Sequence, residues 1–534
     1  MTVPTDRAAR AAGAARADRA DRAPRAARGA RKQQGAAPLR AATLLIAALL
    51  AVPLVFLLIE AQGAGTGQVW HLIARPLTAQ LLWNTVRLTV TVTVLCAIIG
   101  TAAAWATERT DLPGKALWRT LLIIPLAVPD FVVSFGWNSL WSWVSGFRGA
   151  VIVMTLAVYP LVYLPAAASF RTADPGQEEV ARSLGAGRVR VFLRITLGQA
   201  KTAIAGGSLL VALVILAEYG AFEILGYRTF TTEIFTEFNS YSFATSCALS
   251  LVLVVLGLLT LTGEAAVTRH QAPAAKRTEP RRYRLGRVRI PAVLGFVALA
   301  GLAIGIPVYA SVYWIVRSMP SGLSGGSNVG MLNAAAHTAL YGAAAAALAT
   351  LAAIPVGLLA TRYPGRTTSI MERSTYLVLA MPGVVIAFAL YYFTERYAGG
   401  LGDGTAALLI VAYAIMFFPL ALVGVRASLA RAPAGFEEIA RSLGKGRCAA
   451  TMATTVKLAA PGLAAAFCLV FLSAVTELTA TLLLIPAGTQ TLATQFWKYE
   501  QSLSYSQAAP FALVMIIVAA LPSVVLARRG RMHT

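Results

Sequence analysis

Two nearly identical segments decide the fold of this chain: EEVARSLGAGR at residues 178–188 and EEIARSLGKGR at residues 437–447. The segments agree at nine of eleven positions and lie 259 residues apart. A looser repeat surrounds them, since Glu218 is followed at the same distance by Glu477. The sequence therefore predicts two homologous halves in one chain.

The composition predicts that both halves lie in a membrane. The chain has 534 residues, of which 57% are hydrophobic and 13% charged, and its mean hydropathy is +0.67. A soluble domain carries about 25% charged residues. The net charge of +23 would indicate a nucleic-acid partner in a soluble protein. In a membrane protein the basic residues can instead set the orientation of the spans, so their positions along the chain must be considered first.

Twelve stretches of about 20 mainly apolar residues are long enough to cross a bilayer. Each is predicted to be helical, because lipid offers backbone groups no hydrogen-bond partner. The predicted spans are 41–59, 84–106, 118–140, 150–170, 203–225, 243–263, 291–316, 334–360, 374–394, 405–425, 461–485 and 508–527.

The basic residues predict the orientation of these spans. With the N-terminus in the cytoplasm, 39 of the 46 Lys and Arg residues fall on the cytoplasmic side and six on the other, as the positive-inside rule requires. Six spans in each half give both halves the same direction, so the repeat is parallel. The surplus of positive charge thus favours anionic lipid headgroups and leaves no case for nucleic acid.

Changes between apolar and basic composition along the chain predict the boundaries of its segments. We expect a disordered Ala/Arg-rich cytoplasmic tail, two six-span halves, a basic cytoplasmic linker and a short cytoplasmic tail. These segments are 1–40, 41–263 with its repeated loop at 173–200, 264–290, 291–527 with its repeated loop at 430–458, and 528–534.

Each repeated loop follows the fourth span of its half. Its spacing predicts a short helix that ends at Gly185 or Gly444, since glycine readily takes the left-handed conformation after a helix. A second helix then leads into the fifth span, so each loop forms an elbow on the cytoplasmic side. Two such similar elbows are suited to a partner that presents the same surface twice.

The loops resemble the EAA motif of membrane permeases of binding-protein-dependent ABC importers, although Val180 and Ile439 replace its middle alanine. The resemblance implies an all-α, type I ABC importer permease with about twelve transmembrane helices in the bacterial plasma (inner) membrane. It also implies two ABC ATPase subunits and an extracytoplasmic solute-binding protein as partners. The ATPase-coupling residues that it implies are Glu179, Ala181, Arg182, Gly185, Glu438, Ala440, Arg441 and Gly444.

A finer resemblance concerns the substrate. The segments ERTDLPGK at 108–115 and EYGAFEILGYRTFTTEIF at 218–235 resemble those of fused two-half permeases of ferric iron importers. Fused permeases for thiamine or phosphonates are similar too and stay open as alternatives, as does another small solute.

The sequence contains no catalytic constellation. It lacks a G-x-x-x-x-G-K-[ST] phosphate loop, so ATP is expected to bind a separate chain. Four His and four Cys residues are scattered without metal-ligand spacing. We therefore expect a transport subunit that is not an enzyme and binds no cofactor or metal of its own.

Three carboxylates at membrane depth are candidates for the translocation path, because ionisable groups there are costly and commonly functional. They are Glu218, Glu477 and Asp130. The alternatives are that the two glutamates sit near the membrane interface and that Asp130 is structural. Two further alternatives for the whole chain are an ion-gradient-driven secondary transporter and a membrane scaffold without a transport role.

Overall fold

The computed structural model describes residues 37–62, 66–240, 242–268, 283–318, 327–397, 399, 405–432 and 434–531. The predicted disordered tail lies outside the described residues except for 37–40, which begin the first helix. Most of the predicted linker and the last three residues also lie outside them.

Helices build both halves in the same order. The first half contains α1 (Ala37–Gln62), α2 (Thr66–Ile73), α3 (Pro76–Arg109), α4 (Lys115–Ala127), α5 (Asp130–Asn138), α6 (Gly146–Thr172), α7 (Pro175–Ser183), α8 (Arg188–Ala217), α9 (Gly220–Ile224), α10 (Phe230–Asn239) and α11 (Phe243–Thr268). The second half contains α12 (Gly286–Arg317), α13 (Ser327–Arg362), α14 (Arg366–Ala380), α15 (Gly383–Tyr397), α16 (Ala406–Ala430), α17 (Ala434–Ser442), α18 (Ala449–Val475), α19 (Thr479–Leu484), α20 (Leu492–Gln501) and α21 (Tyr505–Arg531).

Within the described residues, nine helices are long and apolar enough to cross a membrane, and two bent pairs bring the number to eleven. The apolar part of α21 is shorter. A helix or a bent pair lies at each of the twelve predicted positions, which confirms the all-α fold in two halves.

Two of the predicted spans are not continuous helices. The chain turns by 93° between α4 and α5 and by 100° between α14 and α15. Pro129 and Pro382 cause the breaks, because a residue before proline avoids helical geometry; Val128 and Met381 are accordingly extended, with ψ of 125° and 113°. The predicted spans at 118–140 and 374–394 are therefore each a pair of helices that meet at a bend.

The first span of each half packs against the other half. Phe56 of α1 makes edge contacts with Phe393 and Tyr397 of α15. The first span of the second half, α12, equivalently packs on α4 and α5 of the first half. Its Phe296 ring lies 5.4 Å from Trp118. Each large buried cluster thus contains residues from both halves.

The last span of each half also crosses to the opposite half. The Phe243 ring of α11 lies 4.6 Å from Tyr392 of α15, and the Tyr505 ring of α21 lies 5.7 Å from Phe135 of α5. The bent pairs therefore lie at the contact between the halves. This packing brings the breaks at Pro129 and Pro382 into the middle of the molecule.

Candidate functional sites

The first elbow is a short helix closed by a left-handed glycine. At the end of α7 the N–H of Ala186 donates to the carbonyl of Ala181 (3.0 Å), and the N–H of Gly185 donates to Arg182 (2.9 Å). This pair of bonds is a Schellman motif. Gly185 has φ of +83°, a conformation that residues with a Cβ rarely adopt, so the sequence requirement for glycine follows from the turn.

The second elbow repeats this geometry. The N–H of Lys445 donates to Ala440 (3.1 Å), the N–H of Gly444 donates to Arg441 (3.0 Å), and Gly444 has φ of +87°. The duplicated sequence thus forms the same turn twice.

The tips of both elbows present apolar side chains to the surroundings. Leu184 is 82% exposed and Leu443 is 78% exposed, and Val180 and Ile439 are also exposed. Of the coupling residues implied by the motif, Ala181 and Arg182 are half-buried, Ala440 is buried, and the rest are exposed: Glu179, Gly185, Glu438, Arg441 and Gly444. Exposed apolar side chains clustered at a protruding turn are typical of a protein-binding surface.

Behind the first elbow lies a buried ion pair. Glu178, the residue before the motif glutamate, pairs with Arg109 at the end of α3, and both side chains are fully buried. Thr196 at the start of α8 also donates to this carboxylate (2.8 Å). One carboxylate therefore holds together the elbow, the second span and the fifth span.

The second half contains the equivalent group. Arg362 at the end of α13 donates to Glu437 (3.1 Å), and Thr455 donates to the same oxygen. Here the side chains of Arg362 and Glu437 remain 17% and 21% exposed. We call each group of arginine, glutamate and threonine an elbow triad.

Both triad threonines lie in a π-helical turn. Thr196 closes the turn Phe192–Thr196, and Thr455 lies in Met452–Val456. A π turn carries one residue more than an α turn, and such turns are frequent at functional sites. Because a π turn occurs at the same place in both halves, we regard it as part of the structure of each elbow.

The sequence reasoning selected Glu179 and Glu438 and missed the neighbouring Glu178 and Glu437. The sequence does contain a signal for these residues, since the pair of adjacent glutamates is repeated in both halves. Arg109 and Arg362 are separated by 253 residues, as Pro129 and Pro382 are. The pairing itself required the fold, because 69 residues separate Arg109 from Glu178.

The three candidate carboxylates lie at breaks between helices. Asp130 begins α5 directly after the bend, and Glu218 follows the last residue of α8. Glu477 lies two residues after the end of α18. The predicted spans at 203–225 and 461–485 are therefore interrupted at these two glutamates.

Both glutamates cap the short helix that follows them. Glu218 accepts the N–H of Ala221 (2.8 Å), and Glu477 accepts the N–H groups of Ala480 (3.0 Å) and Thr481 (3.2 Å). These bonds compensate part of the cost of holding a carboxylate away from water. Each glutamate thus has a structural task in addition to any contact with a substrate.

The carboxylates also belong to one region of the molecule. Glu218 interacts electrostatically with both Asp130 and Glu477. Gly383, the counterpart of Asp130 in the second half, lies beside Glu477, since a methyl group there would come within 3.1 Å of the Glu477 Oε1 atom. Among the described residues, no three His, Cys, Asp or Glu side chains are arranged to hold a metal ion.

The space beside Glu477 is small. A cavity of about 10 Å³ is lined by Glu477 together with Thr338, Tyr341, Tyr413 and other residues. A volume of this size holds about one water molecule.

A two-fold repeated bundle, matched elbows and carboxylates at the central breaks define a membrane transport permease. The family model for "Binding-protein-dependent transport system inner membrane component" matches residues 97–271 and 353–529. The chain belongs to this family, which confirms the resemblance found in the sequence. It is a multi-pass protein of the inner membrane with a permease function.

Curated relatives cover different shares of the chain. An Fe(3+)-transport system permease protein of Haemophilus influenzae is 35% identical over 90% of this chain and 96% of its own length. A ferric transport system permease protein of Actinobacillus pleuropneumoniae is 21% identical over 84% of this chain and 71% of its own length. A molybdenum transport system permease protein of Escherichia coli is 30% identical over 36% of this chain and 96% of its own length.

Proposed function

We propose that this chain is the permease of a ferric iron importer, powered by separate ATPase subunits. The observation that carries the proposal is the end-to-end match to a two-half Fe(3+) permease, which spans 90% of this chain. The molybdenum relative spans only 36%. The family description names dependence on a binding protein, which disfavours a secondary transporter driven by an ion gradient.

The central carboxylates support a cationic substrate. Glu218 interacts electrostatically with Asp130 and with Glu477 in a region of low dielectric constant, where like charges repel strongly. A passing cation relieves this repulsion, whereas an oxyanion increases it. The same chemistry disfavours phosphonate as the solute.

The elbows are the proposed docking points for two ATPase subunits. The excess of Lys and Arg on the elbow side supports a cytoplasmic location for that side and for both chain termini. The exposed Leu184 and Leu443 then fit apolar grooves on the two ATPase subunits. ATP binds and is hydrolysed on those subunits, and a binding protein delivers the iron at the opposite face.

The elbow triads provide a route from the ATPases to the path. The α8 helix begins at the first triad and ends immediately before Glu218, and its regular part of 21 residues spans about 30 Å. The α18 helix likewise connects the second triad, which contains Glu437, to the region of Glu477. A displacement of an elbow therefore moves the carboxylate end of its fifth span, which alternates access to the path.

Uptake by proteoliposomes tests the proposal. The chain is reconstituted with its ATPase subunits, binding protein and radioactive Fe³⁺, and we expect ATP-dependent iron uptake that excess molybdate does not inhibit. Uptake of thiamine or an oxyanion in place of iron would refute the substrate assignment.

Replacing the path carboxylates tests their role. Asp130→Asn, Glu218→Gln and Glu477→Gln each preserve size and keep one acceptor oxygen, and each should reduce iron uptake about tenfold by removing one attractive charge. Glu395→Gln, an exposed carboxylate of α15, serves as the control and should transport like the parent. Equal uptake by all four variants would mean that these carboxylates do not face the substrate.

A further inference from the structure

The described end of the central linker is bound to the first half by backbone hydrogen bonds. The N–H of Tyr283 donates to the carbonyl of Arg109 (2.7 Å), and the N–H of Asp111 donates to the carbonyl of Tyr283 (3.0 Å). The N–H of Leu285 donates to the Asp111 carboxylate (2.7 Å). These bonds hold residue 283 beside the end of α3, next to the first elbow triad.

The Tyr283 side chain adds a fourth residue to the contacts of that triad. Its hydroxyl donates to the second carboxylate oxygen of Glu178 (2.5 Å) and accepts a hydrogen bond from Arg182 (2.9 Å). The Arg182 guanidinium also lies over the Tyr283 ring at 5.3 Å, and the Trp105 ring lies 6.1 Å away. One tyrosine therefore contacts two residues of the same elbow helix, one buried and one half-buried.

Tyr283 is suited to act as a permanent donor. Burial, followed by the hydrogen bond to Glu178, raises the pKa of Tyr283. The hydroxyl thus stays protonated through the neutral range, and its single proton is directed at the carboxylate. The contact does not depend on small changes of pH.

The second elbow differs at this point. Within the described part of the chain, the side-chain partners of Glu437 are Arg362 and Thr455, and Arg441, the counterpart of Arg182, is exposed. The Arg362–Glu437 pair is partly open to water, whereas the Arg109–Glu178 pair is fully buried. Two elbows of nearly identical sequence are therefore held differently.

We propose that Tyr283 is a positioning residue that fixes the first elbow to the central linker and makes the two elbows mechanically unequal. The first elbow, α3 and the start of α12 then move as one body, while the second elbow moves with fewer constraints. The inference rests on the proposed function only where it concerns coupling to ATP hydrolysis. The difference in rigidity between the two elbows is a property of this chain and does not depend on the proposed function.

Hydrogen–deuterium exchange tests the local part with the full chain in lipid nanodiscs and no ATPase present. Tyr283→Phe removes only the hydroxyl and leaves a buried carboxylate oxygen without its donor. We expect about tenfold faster exchange at amides 180–187 and no change at the equivalent amides 439–446. Tyr363→Phe, which alters the residue after Arg362 in the second half, is the matched control and should leave both elbows unchanged.

An equal effect on both elbows, or none on either, would overturn the proposal. A double variant tests whether Tyr283 acts through Glu178. In a Glu178→Gln background, Tyr283→Phe should add little further exchange, because its charged acceptor is already gone; an additive effect would show that Tyr283 acts elsewhere.

The coupling part is measured in proteoliposomes with the ATPase subunits. Tyr283→Phe should lower the iron transported per ATP hydrolysed at least twofold, and Tyr363→Phe should not. Faster exchange at the first elbow with an unchanged transport ratio would overturn the role in coupling. Failure of the proposed function would appear differently, as the absence of ATP-dependent iron uptake in the unaltered protein.

Discussion

At the scale of single residues, neighbouring glutamates have opposite surroundings. Glu178 is fully buried against Arg109, whereas Glu179 is exposed on the same helix. Successive helical residues point about 100° apart, so one side of α7 faces the spans and the other faces outward. The first carboxylate therefore maintains the structure, and the second lies on the exposed side of the helix.

Replacing each glutamate by glutamine separates these two tasks. Glu178→Gln leaves the buried Arg109 charge without its counter-ion, and breaking a buried ion pair in this way typically costs about 3–5 kcal/mol. Two nitrogens of Arg109 already have no hydrogen-bond partner, so no other group replaces the carboxylate. We expect a large loss in the free energy of unfolding, measured by denaturant titration in detergent.

Glu179→Gln provides the comparison for this measurement. Removing this charge at an exposed helical position should change the free energy of unfolding by no more than about 1 kcal/mol, because water screens exposed charges, although it should weaken a surface that binds an ATPase. Equal losses from the two variants would contradict the assignment of Glu178 to the structural triad.

At the scale of elements, the elbow depends on its left-handed glycine. Proline fixes φ near −65°, which is incompatible with +83° at Gly185 and +87° at Gly444. Gly185→Pro combined with Gly444→Pro should distort both turns and move Leu184 and Leu443 away from their positions. We expect normal membrane insertion but complete loss of substrate-stimulated ATPase activity in the reconstituted complex.

The same substitution two residues further along the chain is a matched control. Gly187 has φ of −65° and ψ of 158°, which proline adopts without strain, and Gly187 immediately precedes α8 where proline is tolerated. Gly187→Pro should therefore retain stimulated ATPase activity. Stimulation that survives in the double variant, or that is lost in the control, would remove the elbows from the coupling mechanism.

The elements show what the sequence can and cannot predict. Hydropathy located the nine continuous spans and the two bent pairs of the described residues, because the bilayer imposes a length on each of them. It did not reveal the bends at Pro129 and Pro382, because proline also occurs in membrane helices whose neighbours satisfy the freed carbonyl groups. Hydropathy does not reveal the helix breaks beside Glu218 and Glu477 either, since apolar composition continues across them.

At the scale of the whole molecule, the two halves are interlocked. The α1 helix packs on the second half, and α12 packs on the first. The sequence could not show this exchange, because hydropathy describes each span against lipid and carries no information about its neighbour. One consequence is that each half lacks part of its buried surface when it is alone.

Dividing the chain in the linker tests this interlocking. Residues 1–274 and 275–534 can be expressed as two chains, since the division leaves α1 and α11 on one fragment and α12 and Tyr283 on the other. When expressed together, the fragments should co-purify in detergent through an affinity tag on either one, because the exchanged helices bury apolar and aromatic side chains such as Phe56 and Phe296.

Each fragment expressed alone exposes the surface that the exchanged helices normally cover. We expect it to unfold at a temperature at least about 10 °C lower than the co-expressed pair, as measured by intrinsic fluorescence during heating. Co-expression with Phe56→Ala, which removes the aromatic contact of α1 with α15, should give an intermediate value because it leaves a cavity at a buried position. Fragments that are fully stable alone, or that do not co-purify, would show that the halves are independent bodies and that the exchanged spans contribute little to the assembly.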